Sequence, residues 1–189
     1  MKIRTITTGF ELKCPLYEKQ FREAAEFTKN AQKEFERRGY PVQTLRISTQ
    51  PWEDYFQSKK QIIELIKEIE NLTKKYNLNY FSVGTTRNPE NIPFVYDIIK
   101  NSSLGFCTAT ICDNKKINFE AARQTAKLIR KLSKIGPNGS DNRRFAALFN
   151  TKAGSPFFPV AYHKGEKSFA IGLENSDLVY INRLHFLKN

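Results

Sequence analysis

YFSVGTTRNPENIPFVYDIIKNSSLGFCTATIC, residues 80–112, carries a strand, a helix and a second strand in unbroken succession. YFSVGTT at 80–86 is a short apolar run that stops in Gly-Thr-Thr-Arg. Residues 89–102 hold a helix with Phe94, Ile98 and Ile99 as its buried positions. LGFCTATIC at 104–112 is dense in Thr and β-branched residues, the composition of a strand. A strand–helix–strand succession favours parallel strands with the helix packed outside them.

The same alternation extends in both directions. Toward the amino terminus, 58–76 reads as a helix with Ile62, Ile66, Ile69 and Leu72 on one face. Residues 41–50 are β-rich, and 17–38 repeat Phe21, Ala24, Ala25, Thr28, Ala31 and Phe35 at helical spacing before Gly39 stops the helix. Residues 2–12 alternate as a first strand. Toward the carboxyl terminus, Asn118 caps a helix running to about Lys134, with Phe119, Ala122, Ala126, Ile129 and Leu132 as its expected apolar face. Residues 138–142 read as a polar loop, 144–150 as a fifth strand and 168–173 as a sixth. The order predicts an α/β fold, alternating β-α units around a mostly parallel sheet, in a single domain spanning residues 1–189.

Composition narrows the function classes. The 189 residues are 40% apolar and 13% aromatic, enough for a core and unlike a disordered chain. Charges interrupt every apolar run before about 18 residues, which excludes a membrane-spanning helix. MKIRTITTGF lacks the apolar core of a secretory signal, so the expected location is cytoplasmic. Three cysteines, Cys14, Cys107 and Cys112, form neither a disulfide framework nor a metal-ligand spacing. The residues name no cofactor, and neither GxGxxG nor GxxxxGK[ST] occurs.

The net charge is +12, and residues 113–167 carry 12 basic and 4 acidic side chains of it. A basic stretch of this kind can attract nucleic acid or phosphorylated metabolites. Lys outnumbers Arg, 20 to 11, among 15 Asn, a composition that translation of an AT-rich genome also produces. No RNP-type strand, zinc-finger spacing or helix-turn-helix pattern accompanies it, so nucleic acid through 115–144 stands behind a small-molecule partner.

Parallel sheets present functional loops at the carboxyl ends of their strands. At one such end Thr85, Thr86 and Arg87 could hold a carboxylate or phosphate, with Arg87 binding bidentately; the same residues would also serve as a helix cap beside a solvated Arg. At the next, TATICDN places Cys112 near the rim, where a nucleophilic role would need a partner such as His163 to lower its pKa. Asn150 ends the fifth strand. AGSPFFPVAYHKG at 153–165 combines two prolines, two glycines and Phe157, Phe158 and Tyr162, the composition of a loop inserted into a cavity. His163 at its end could act as an acid/base or an orienting donor. Glu174 to Asp177 read as a helix N-terminal cluster.

IRTITTGFEL at 3–12, INFEAARQTAKLI at 117–129 and FFPVAYHKGEKSFAIGLENSDLV at 157–179 resemble the uncharacterised family called domain of unknown function 711. The resemblance implies likeness to the pyruvate formate-lyase superfamily: a ten-stranded α/β barrel of two five-stranded halves with a loop threaded inside. The chain would correspond to the amino-terminal half of such a barrel. It has no counterpart of the glycyl-radical loop and no adjacent cysteine pair, so radical chemistry does not transfer. The resemblance places residues 161–163 and Glu174 to Asp177 near a central cavity. An open edge strand implies a homo-oligomer or a partner chain that completes the barrel.

Three functions therefore compete. The first is a half-barrel binding a small anionic metabolite at its strand ends, with His163 and Cys112 as catalytic candidates and Thr85, Thr86, Arg87, Asn150, Tyr162, Glu174 and Asp177 as ligand contacts. The second is nucleic-acid binding, and the third is a non-catalytic subunit.

Overall fold

A computed structural model describes residues 2–55, 58–114 and 116–175. β1 (Lys2–Phe10) is followed by α1 (Glu18–Arg37), β2 (Leu45–Thr49), α2 (Lys59–Lys75) and β3 (Tyr80–Thr86). Then come α3 (Val95–Lys100), β4 (Gly105–Asp113), the two-residue β5 (Lys116–Ile117), α4 (Phe119–Leu132), β6 (Phe145–Phe149) and β7 (Ser168–Glu174). Turns of 3-10 helix at Trp52–Asp54, Pro89–Phe94 and Pro137–Arg144 complete the connections.

The strands lie in the order β7-β1-β2-β3-β4-β6, with β5 folded back beside the end of β4. β1, β2, β3, β4 and β6 run parallel, neighbour to neighbour in chain order. β7 runs antiparallel to β1, and β5 antiparallel to β4. The sheet is thus mixed and open. β7 reverses because the chain after β6 crosses the sheet face instead of returning through a helix, so it arrives at β1 from the strands' carboxyl end.

Chain-order strands with right-handed crossovers put every helix on one face. The packing agrees: α1 meets α2 through Phe21 and Tyr76, α2 packs on α3, and α3 on α4. Ile62, Ile66, Ile69 and Leu72 are buried along α2, as their spacing predicts. Each contributes about 1.5–3 kcal/mol by leaving water. Ser58 caps this helix by accepting from Gln61 N, and Asn118 caps α4 by accepting from Ala121 N.

The face of α4 departs from the expected one. Ala121, Thr125, Leu128 and Leu132 are buried, while Phe119 is 74% exposed and Ile129 42% exposed. The buried stripe includes a threonine, which apolar counting passes over. Residues 138–142, expected as a polar loop, lie within the 3-10 segment Pro137–Arg144, which is interrupted by positive φ at Asn138 and Gly139.

Glu70 of α2 anchors the approach to β4. Its carboxylate accepts from Ser102 Oγ, Ser103 N and Ser103 Oγ, and pairs with Lys74 at 2.7 Å. Burial works to raise its pKa, but these donors outweigh it and hold the group at about 2. A depressed carboxylate stabilises the fold above its ordinary pKa and loses that contribution as pH falls toward the folded value. The stability difference between wild type and Glu70→Gln, from urea unfolding, should therefore be full above pH ~4.5 and shrink as pH falls toward about 2. Parallel acid profiles for the two proteins would contradict this.

Among the described residues the opposite face of the sheet carries no α-helix, and it is rich in hydroxyls. Thr7 Oγ1 donates to Pro156 O at 2.7 Å, and Ser82 Oγ donates to Ala161 O at 2.8 Å. His163 N donates to Thr49 O at 2.9 Å. The segment 151–167 is therefore laid across this face as a plug, tied strand by strand to β1, β2 and β3.

Candidate functional site

Five successive strand ends converge at one side of the plug. Glu11 follows β1, Gln50 and Pro51 follow β2, Thr85 and Arg87 close β3, Thr110 and Asp113 close β4, and Thr151 follows β6. With Asp54, Tyr162, His163 and Lys164 they enclose a cleft of about 480 Å³. This is the position at which open and closed parallel sheets place ligands.

Backbone geometry explains the glycine of VGTT. Gly84 has φ +77, and a Cβ there would stand 2.7 Å from Gln50 O. The glycine lets β3 approach the exit of β2. That exit is clamped in turn: Gln50 Oε1 accepts from Leu12 N and Gln50 Nε2 donates to Leu12 O, both at 2.8 Å.

Arg87 reaches the cleft from a carboxylate network. Its Nε donates to Glu53 Oε1 at 3.0 Å and its terminal nitrogen to Asp54 Oδ1 at 2.6 Å. Glu53 also accepts from Thr86 Oγ1, Arg87 N, Asn88 N and Asn91 Nδ2. Burial works to raise the Glu53 pKa, but the donors from Thr86, Arg87 and Asn88 outweigh it and hold the carboxyl below its ordinary range. The bond to Glu53 raises the Arg87 pKa further. Glu53 thus fixes the rim of the cleft, a role that a lone Glu after Trp52 does not announce in sequence.

The plug supplies the other wall. Tyr162 OH donates to Thr151 O at 2.9 Å, and Gly154 N donates to Tyr162 O. Burial, with Asp113 nearby, pushes the Tyr162 phenol up. His163 is 4% exposed, and its Nε2 lies 2.7 Å from Gly165 O. A carbonyl can only accept, so Nε2 carries a proton and donates it to Gly165 O. The ring lies over Gly9, where a Cβ would stand 2.2 Å from Nδ1. This arrangement suits an orienting histidine, held at its backbone by Thr49 and at its ring by Gly165.

A family model described as uncharacterised ACR, domain of unknown function 711 (DUF711), matches residues 1–184. The chain belongs to the DUF711 family. The match runs well past the first half of the chain, almost to its end. No curated protein matches it.

In this DUF711 member the remaining candidate residues lie as follows. Thr85 lines the cleft, where its Oγ1 is 3.0 Å from Thr110 Oγ1. Thr86 is fully buried and turned into the Glu53 network, so it supports the rim from behind. Cys112 is buried, 3.6 Å from Asn150 Oδ1, and neither residue lines the cleft. Cys112 and His163 are each engaged by other partners. Cys107 is fully buried, and burial pushes its thiol far up.

Glu174 lies at the other end of the sheet, paired in register with Lys2 and bonded to Gln43 and Arg4. The antiparallel course of β7, which begins with Ser168 opposite Gly9, carries Glu174 to the start of β1, away from the cleft. Asp177 lies outside the described residues. Among the described residues no group of three or more His, Cys, Asp and Glu is arranged to hold a metal, and no helix is long and apolar enough to cross a membrane.

Proposed function

We propose that this DUF711 chain binds a small metabolite in the cleft at the carboxyl ends of β1 to β4 and β6. The convergence of those strand ends and the plug on one cleft of about 480 Å³ carries the reading. Arg87 has two carboxylates already, so the charge for an anionic ligand group comes from Lys164 together with the outer edge of Arg87. Asp113 and Glu11 on the facing rim call for donors. The ligand class is therefore a small acid, carboxylate or phosphate, that also carries hydroxyl or ammonium groups. Tyr162 and His163 position the wall, and His163 acts by orientation.

Five parallel strands in chain order, helices on one face and a loop on the other support the further reading of the sheet as one half of a ten-stranded barrel of the pyruvate formate-lyase type. In such a barrel the plug would lie on the inner face.

A thermal-shift panel of hydroxy acids, amino acids and phosphate esters tests the binding site. A true ligand at about 100 times its Kd should raise Tm by about 5–10 °C. Lys164→Gln and Asp113→Asn should each reduce that shift. Failure of every compound, or a shift that both variants retain in full, would remove the cleft from consideration.

A further inference from the structure

A second cleft, of about 440 Å³, opens at the other end of the plug, where the strands begin. Arg46 from β2, Tyr80 from β3, Phe106 from β4 and Phe158 from the plug form its inner wall, and Ser103, Arg143 and Arg144 lie at its mouth.

Arg46 and Tyr80 are partners in register on adjacent parallel strands, which places both side chains on the same face. The guanidinium carbon lies 5.6 Å from the Tyr80 ring centroid and 5.2 Å from that of Phe158. Phe106 closes the aromatic wall, 5.4 Å from Tyr80 and 5.0 Å from Phe158 between centroids. Aromatic faces attract a cation but offer no hydrogen-bond acceptor. Arg46 Nε is buried and has no partner among the described residues. No carboxylate among them pairs with Arg46, and the neighbouring charge, Arg4, has the same sign.

The other basic groups divide clearly. Arg144 is committed to structure, donating to Ser102 O, Gly105 O and Ile99 O and pairing with Asp141. Among the described residues Arg143 makes one bond, from Nε to Ser140 O, and it is exposed. Two guanidinium groups, Arg46 and Arg143, therefore line one cleft whose carboxylate, Asp141, is already paired with Arg144.

A partly buried cation without a counter-ion is costly, and a guanidinium fork is shaped for planar, two-oxygen acceptors. We propose that this cleft is a binding site for a small oxyanion, with Arg46 donating to it from an aromatic wall and Arg143 closing over it. Because the wall is three aromatic rings, the ligand extends beyond the oxyanion into an aromatic or flat apolar part. The site is separate from the carboxyl-end cleft and stands or falls without it.

Titrations of the full ¹⁵N-labelled chain with inorganic phosphate, phenyl phosphate and benzoate, at constant ionic strength, test the proposal. The Arg46 Nε–H resonance, assigned by its loss in Arg46→Lys, should shift on addition of an oxyanion. Phenyl phosphate should bind several-fold tighter than phosphate, because stacking adds to charge pairing. Arg46→Gln should weaken binding at least about tenfold, and Lys33→Gln, exposed on α1 and lining neither cleft, should not change it. Tighter binding of benzoate than of phenyl phosphate would make the oxyanion a carboxylate; binding of phosphate alone at equal strength would remove the aromatic extension but keep the oxyanion site. No movement of the Arg46 resonance with any of the three, or affinities equal in Arg46→Gln, would overturn it.

Discussion

Gly9→Ala lowers the stability of the chain by about 1–3 kcal/mol, the usual range for forcing extra volume into a filled site. The new Cβ would meet His163 Nδ1 at 2.2 Å and its Cγ at 2.7 Å. These atoms cannot retreat easily. The His163 backbone is tied to Thr49 O and the ring to Gly165 O, so relief requires the plug to move. The loss should be largely recovered by adding His163→Ala, which empties the space the methyl group needs. Urea unfolding of both single variants and the double variant gives the coupling directly. Additive losses would show that Gly9 and His163 are not held against each other.

Glu53→Ala has the other large effect. The carboxylate accepts from five donors, at Thr86, Arg87 twice, Asn88 and Asn91, and its side chain is 13% exposed. Two of those donors are backbone N–H groups at the start of the Pro89–Phe94 turn. Removing the acceptor leaves them unmatched and releases Arg87 on one side. The expected loss is about 2–3 kcal/mol, the range for hydrogen bonds to a charged group together with partly buried donors left open. Glu53→Gln should lose less, since one oxygen still accepts. A ligand found for the carboxyl-end cleft should bind more weakly to both, because Arg87 is held in place by this network. A loss below about 0.5 kcal/mol for Glu53→Ala, typical of a surface site, would mean that the network is decorative.

Much of the fold can be read from residue order because the signals are local and repeated. The α2 face is legible because its four buried positions are all Ile or Leu at helical spacing. The face of α4 is not, because Thr125 is buried while Phe119 and Ile129 stand in solvent. The direction of β7 depends on how residues 150–167 cross the sheet, and no pattern within Ser168–Glu174 encodes that path. The same reversal explains Glu174, which is near the plug in sequence but bonded to Arg4 and Gln43 at the opposite end of the sheet.

The candidate site divides in the same way. Thr85, Arg87, Tyr162 and His163 meet in one cleft because strand ends converge in any parallel sheet. Glu53 and Arg46 carry no sequence signal. Glu53 matters because Thr86 and Arg87 fold back onto it from another strand. Arg46 matters because its partners are rings contributed by β3 and the plug.

The hydroxyls under the plug have one more consequence. A sheet face made of Thr7 and Ser82 holds the segment by hydrogen bonds, and water can make the same bonds in its place. Away from Tyr80 and Phe106, on which Phe158 is anchored, lifting the segment would uncover a wettable trough instead of an adhesive apolar surface. The floor of this protein can thus meet solvent without inviting aggregation. A Val- or Leu-lined sheet would have no such freedom, and its covering loop would have to stay shut.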